Sequence, residues 1–170
     1  STEHYFHFSD LFRRRYLPHT IELGRSFIQP AYQARSNTKS IYALDNLWDG
    51  LGALIVLNPK AKYLFGKVTM YSSYQTVARN TLIPDRDRLV TGRHPIDLGL
   101  DDPYYERIFT GENYVENYHI LIQRIREFNE NIPPLINSYM NLSPTMRVFD
   151  TVENPDFGGV EGTGILLAIK

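Results

Sequence analysis

The chain has 170 residues, a formal net charge of −1 and no cysteine. That charge balance leaves no electrostatic footprint for nucleic acid. The missing thiols exclude disulfides, thiolate metal sites and a cysteine nucleophile together, and agree with a reducing, cytoplasmic setting. The length suffices for one domain, residues 1–170, with a sizeable core. The strongest apolar run, GALIVL, is far too short to cross a bilayer, so any membrane contact is expected to be peripheral. No signal peptide is visible, and the chain starts STEHYF without Met, as a trimmed piece would.

Residues 1–20 read as a short aromatic strand or turn, HYFHF, followed by a short helix that Ser9 or Asp10 could cap. The run Arg13-Arg14-Arg15 reads as a solvated turn, with docking of an acidic partner as the alternative. Residues 20–28, TIELGRSFI, read as a strand with a bulge marked by Gly24, ended by Pro30. Residues 38–57 read as a helix. Ile41, Leu44, Leu47, Trp48, Leu51, Leu54 and Ile55 recur at helical spacing, Thr38 or Asn37 is the N-cap, and Asn58-Pro59 stop it. Gly50 and Gly52 within it suggest close approach of another backbone.

Residues 63–71, YLFGKVTMY, alternate as a strand, and 72–81 suit a short helix. Residues 83–113 are rich in Pro, Gly and Asp and read as a long irregular insertion. Residues 114–128 suit a helix with Leu121, Ile125 and Phe128 on one face. Pro133-Pro134 open another with Leu135, Ile136, Tyr139 and Met140 inward. Strands at 146–152 and 164–169 close an α/β pattern with a mixed sheet.

Two motifs lose their first appeal on inspection. His4, His7 and Asp10 are spaced like ligands, but no third ligand cluster follows, so no metal site is expected. GGVEGTG at 158–164 lies before a strand and lacks the following Lys-Ser/Thr of a phosphate loop, so it reads as a hairpin connection.

The stretch ELGRSFIQPAYQ at 22–33 sets Glu22 and Arg25 three apart in an apolar run. One reading is a surface ion pair on an edge strand. The other is a donor site: a bulged strand that pairs with an extended amide arm, then a helix N-terminus near Thr38 suited to a phosphate. Arg35 and Lys39 add positive charge at that end.

ELGRSFIQPAYQ, followed by LWDGL, YLFGKVTM, IPPLINSYMNL and NPDF, resembles the acyltransferase branch of the GNAT superfamily, which includes ornithine-lipid and glycine-lipid N-acyltransferases, often labelled hemolysin-like. The resemblance runs from about Tyr5 to the C-terminus, and ELGR is also similar to the strand motif of acyl-homoserine-lactone synthases. It implies a mixed, mostly antiparallel GNAT-like sheet flanked by helices. It implies transfer of a fatty acyl group from acyl carrier protein to the α-amine of a small amino acid, giving an aminolipid or its lyso precursor. The strand holding Glu22–Phe27 would be the central one and 63–71 its splayed neighbour, with the pantetheine arm between them. Gly24, Ser26, Phe27, Arg35, Asn37, Thr38, Lys39 and Trp48 would then bind the donor. QARSNTKS stands where the family's Gly-rich phosphate loop would be, which suits a carrier-protein phosphopantetheine better than coenzyme A. Only about twenty residues precede ELGR, where the family has several strands and a helix. The chain therefore looks like the C-terminal portion of a longer protein.

On this reading Glu22 is the general base that takes a proton from the incoming ammonium, and burial among apolar neighbours is expected to tune it. Backbone N–H groups around Gly24–Phe27 would hold the thioester oxyanion. Arg25 would bind the amino acid's carboxylate, orient Glu22 or contact the acyl chain. The apolar faces of 41–57 and 63–71 would enclose the acyl tail, with Trp48 at their seam. No metal and no permanently bound cofactor are expected. The rivals are a coenzyme A-dependent small-amine acetyltransferase and a non-catalytic module that binds an acyl group or its carrier protein. The acceptor, acyl length and oligomeric state stay open.

Overall fold

The computed structural model describes residues 2–24, 43–70, 88–93, 95, 102–132 and 134–169. Among these the elements run β1 (Phe6–Phe8), α1 (Asp10–Arg15), β2 (Thr20–Leu23), α2 (Ala43–Leu57), β3 (Tyr63–Met70), β4 (Val90–Gly92), α3 (Asp102–Ile108), α4 (Tyr114–Arg126), α5 (Pro134–Leu142), β5 (Arg147–Asn154) and β6 (Val160–Ala168). Local chemistry sets the helix starts. The Ser9 hydroxyl accepts from the Phe12 N–H at 3.1 Å and opens α1. Asn113 accepts from the Glu116 N–H at 3.1 Å, while Glu116 reaches back to the Asn113 amide and the Glu112 N–H, which opens α4 with a reciprocal cap.

Four strands form one sheet in the order β2-β3-β6-β5, and β1 and β4 form a separate antiparallel pair. β2 and β3 are parallel, whereas β3–β6 and β6–β5 are antiparallel. This is the mixed, mostly antiparallel sheet with flanking helices that the sequence led us to expect. The parallel pair needs a crossover, and α2 lies within it.

Strand alternation divides the sheet into two faces. On one face Leu64, Val68, Val148, Ile165 and Leu167 meet Leu121 and Ile125 of α4 and Ile136, Tyr139 and Met140 of α5. Trp48, Leu51 and Ile55 of α2 join this core from its edge. On the other face Phe65, Phe149, Val152 and Leu166 meet Phe6, Phe8 and Phe12 from the N-terminal segment and Leu89 and Val90 near β4. Phe12 is fully buried, stacks on Tyr16 and meets Phe65 and Phe149 edge-on. The aromatic start of the chain is thus the lid of the second core.

Several expectations need correction. The insertion at 83–113 is not uniformly irregular: it contains β4 and α3. β4 is pulled into order by β1 and by Asp150, whose carboxylate accepts from the Gly92 N–H at 2.8 Å. The last strand begins at Val160, and the connection before it is a short 3-10 turn closed by Gly158 and Gly159 at φ 68° and 67°. β5 carries a register shift between Val148 and Thr151; the β2 ladder is regular through Leu23, and residues 25–28 of the strand expected at 20–28, where a bulge at Gly24 would show, lie outside the described residues. Among the described residues, no group lies within 4 Å of a Cβ added at Gly50 or Gly52. Leu47 and Leu54 are 41% and 38% exposed and, among the described residues, belong to neither core. The expected helix at 72–81 and the start of the 38–57 helix lie outside the described residues.

Candidate functional site at the end of the parallel ladder

The described β2–β3 ladder runs from Thr20 opposite Tyr63 to Leu23 opposite Gly66. β3 then continues to Met70, paired along its other edge with β6 from Lys67–Gly164 to Met70–Glu161. Ile21 and Leu23 pack with the helix-side core, so alternation turns Glu22 to the opposite face, beside its ladder partner Phe65. Lys67 lies on that same face two residues beyond Phe65. Strand spacings put the Glu22 and Lys67 backbones about 8 Å apart on a diagonal.

Glu22 is exposed, which corrects the expectation of burial among apolar neighbours. Its Oε1 accepts from the Thr2 N–H at 3.1 Å and also from the Thr2 hydroxyl. Thr2 is buried and begins a 3-10 turn over Thr2–His4, so the carboxylate sits at the positive end of that turn. Both bonds fall on Oε1, which leaves a proton arriving at Oε2 free to do so without breaking either.

Lys67 is the residue that sequence reading missed. Its stem runs across Gly162 of β6, and its ammonium lies 4.0 Å from the centroid of the Tyr5 ring. Burial lowers its pKa below the ordinary lysine value. Tyr5 is held in turn by its hydroxyl, which donates to Asn154 Oδ1 at 2.9 Å, and Asn154 is buried. The signal was present in YLFGKVTM, where alternation puts Lys67 on the Phe65 face and so turns a cation inward on a core strand.

Of the other expected site residues, Gly24 follows β2 at the mouth of the ladder. Trp48 packs edge-on against Tyr139, with ring centroids 5.1 Å apart, in the helix-side core. It therefore lies across the sheet from Glu22. Arg25, Ser26, Phe27, Arg35, Asn37, Thr38 and Lys39 lie outside the described residues. The arrangement that is described can do two things chemically: a carboxylate can take a proton, and a partly buried ammonium can hold a carboxylate or an oxyanion.

No helix among the described residues is long and apolar enough to cross a membrane. No family model matches the chain, and no solved structure matches it significantly. Two curated proteins do. The chain is 48% identical over 178 residues to the glycine N(alpha)-acyltransferase of Phocaeicola vulgatus, covering 100% of this chain and 55% of that protein. It is 51% identical over 177 residues to the glycine N(alpha)-acyltransferase of Bacteroides thetaiotaomicron, covering 99% of this chain and 52% of that protein. The chain thus spans about half the length of the curated relatives it matches, and it is similar to them from end to end of its own 170 residues.

Proposed function

We propose that this chain is an N-acyltransferase domain that moves a fatty acyl group to the α-amine of glycine or another small amino acid, giving an aminolipid or its lyso precursor. The observation that carries the reading is the end-to-end similarity to two glycine N(alpha)-acyltransferases. The donor is acyl carrier protein through its phosphopantetheine thioester, with acyl-coenzyme A as the second choice. Residues 1–170 act as one domain.

In the step we envisage, the amino acid's ammonium gives a proton to Glu22 Oε2, and its free amine attacks the thioester carbon. The C–N bond forms, the C–S bond breaks, and the thiolate leaves with a proton from the collapsing intermediate. Lys67 holds the acceptor's carboxylate, which places the amine near Glu22. Arg25 shares that role or contacts the donor.

The exposure of Glu22 and its bond to Thr2 favour one rival, a domain that binds an acyl carrier without turnover. Lipid profiling by mass spectrometry decides between them, with the protein expressed in a bacterium at its natural length. New N-acyl glycine that is lost in Glu22→Gln supports the reading. Gln keeps an oxygen for Thr2, so the fold's anchor survives while the base does not. Full turnover by Glu22→Gln at saturating glycine removes Glu22 as base. Folded protein with no new lipid puts the binding module first.

A further inference from the structure

Charge is segregated in this nearly neutral chain. No Asp or Glu occurs from Leu11 to Ile21 or from Gly50 to Leu64, and these two stretches hold Arg13, Arg14, Arg15, Lys60 and Lys62. The fold brings them together at one end of the sheet. The Lys62 N–H donates to the His19 carbonyl at 2.8 Å, and His19 Nδ1 lies 3.2 Å from the Lys60 carbonyl. The two stretches immediately precede β2 and β3, so they flank the end where both strands begin. Arg13 is committed to Glu3 at 3.0 Å, whereas Arg14, Arg15, Lys60 and Lys62 are exposed.

The same end carries apolar side chains turned to solvent. Val56 and Leu57, in the last turn of α2, are each 78% exposed, and Leu17, between Arg15 and His19, is 39% exposed. Scattered exposed apolar residues need no explanation. Here Val56 and Leu57 are consecutive in the last turn of α2, three residues before Lys60, and Leu17 lies two residues before His19, whose ring meets the Lys60 carbonyl.

We infer that this end docks on an anionic lipid bilayer. Lipid phosphates meet Arg14, Arg15, Lys60 and Lys62, while Val56, Leu57 and Leu17 enter the boundary between headgroups and acyl chains. An acidic protein could also meet the cations; the bilayer is the occupant that takes up phosphate charge and the two 78% exposed aliphatic side chains without a shaped partner surface. Glu22 lies two residues along β2 from Thr20, roughly 7 Å from that end of the sheet. The inference stands independently of acyl transfer.

The test is co-sedimentation of the protein at its natural length with vesicles of phosphatidylcholine, alone or mixed with phosphatidylglycerol. Pelleting is expected with the anionic vesicles only, and it falls as salt rises. Arg14→Ala with Arg15→Ala weakens partitioning roughly twenty-five-fold, each cation at an anionic surface being worth about a factor of five. Val56→Ser with Leu57→Ser weakens it by about tenfold or more through lost apolar burial. Both pairs are exposed, and superimposable thermal melts confirm their folds. No pelleting with either vesicle, equal pelleting with both, or full binding by the serine pair overturns the inference. So does retention of an acidic acyl carrier protein by this surface when vesicles are not retained.

Discussion

Gly162 is the most economical place to test the Lys67 pocket. An alanine Cβ there would stand 2.5 Å from Lys67 Cδ and 2.9 Å from Cγ, inside contact distance. The obstructing group is a flexible stem, so Lys67 swings away and leaves the Tyr5 ring. The lost cation–π contact costs about 0.5–1 kcal/mol for a partly exposed pair. Alanine also relieves the excess unfolded-state entropy of a strand glycine, which returns about 0.5–1 kcal/mol. In the native background the two effects nearly cancel. In a Lys67→Ala background only the gain remains, and Gly162→Ala stabilises by about 0.5–1 kcal/mol. The cycle therefore carries a coupling of about 1 kcal/mol, read from urea midpoints of the four proteins. If Gly162→Ala changes stability equally in both backgrounds, Lys67 does not lie over Gly162 and the described pocket is wrong.

Three further outcomes are expected. Ser9→Ala removes the α1 cap and costs about 1 kcal/mol, which calorimetry reads as a Tm lower by about 2–4 °C at this chain length. The Thr151 and Thr163 hydroxyls are buried and 2.8 Å apart; Thr151→Val strands one of them and costs about 1–3 kcal/mol, while the double valine recovers most of it in urea unfolding. Lys67 is depressed by burial, so between its folded and unfolded pKa values the unfolded chain binds more protons and stability rises with pH. The penalty is full below the folded value and gone above the unfolded one. The stability of the native protein relative to Lys67→Met should accordingly climb from neutral pH toward the ordinary lysine range, and a flat difference would contradict the burial.

The amino-acid sequence by itself determined the periods. Leu121, Ile125, Tyr139 and Met140 read as inward helix positions and are inward. YLFGKVTM reads as a strand and is one, and of the two caps the sequence offers, Ser9 and Asp10, Ser9 is the cap. These features depend on residues within a turn or two of each other, so local spacing suffices. Tertiary structure alone decided the rest. Glu22 meets Thr2, twenty positions away, because a 3-10 turn happens to start beside β2. Leu47 and Trp48 are equally plausible core residues by period, yet among the described residues Trp48 meets Tyr139 of α5 while Leu47 is exposed. β4 is too short to declare itself and exists because β1 offers it a ladder. Lys67 becomes more than a strand lysine only where Gly162 clears its path and Tyr5 receives its charge. Each of these depends on register between distant segments, which side-chain period does not encode and close packing of the two sheet faces does.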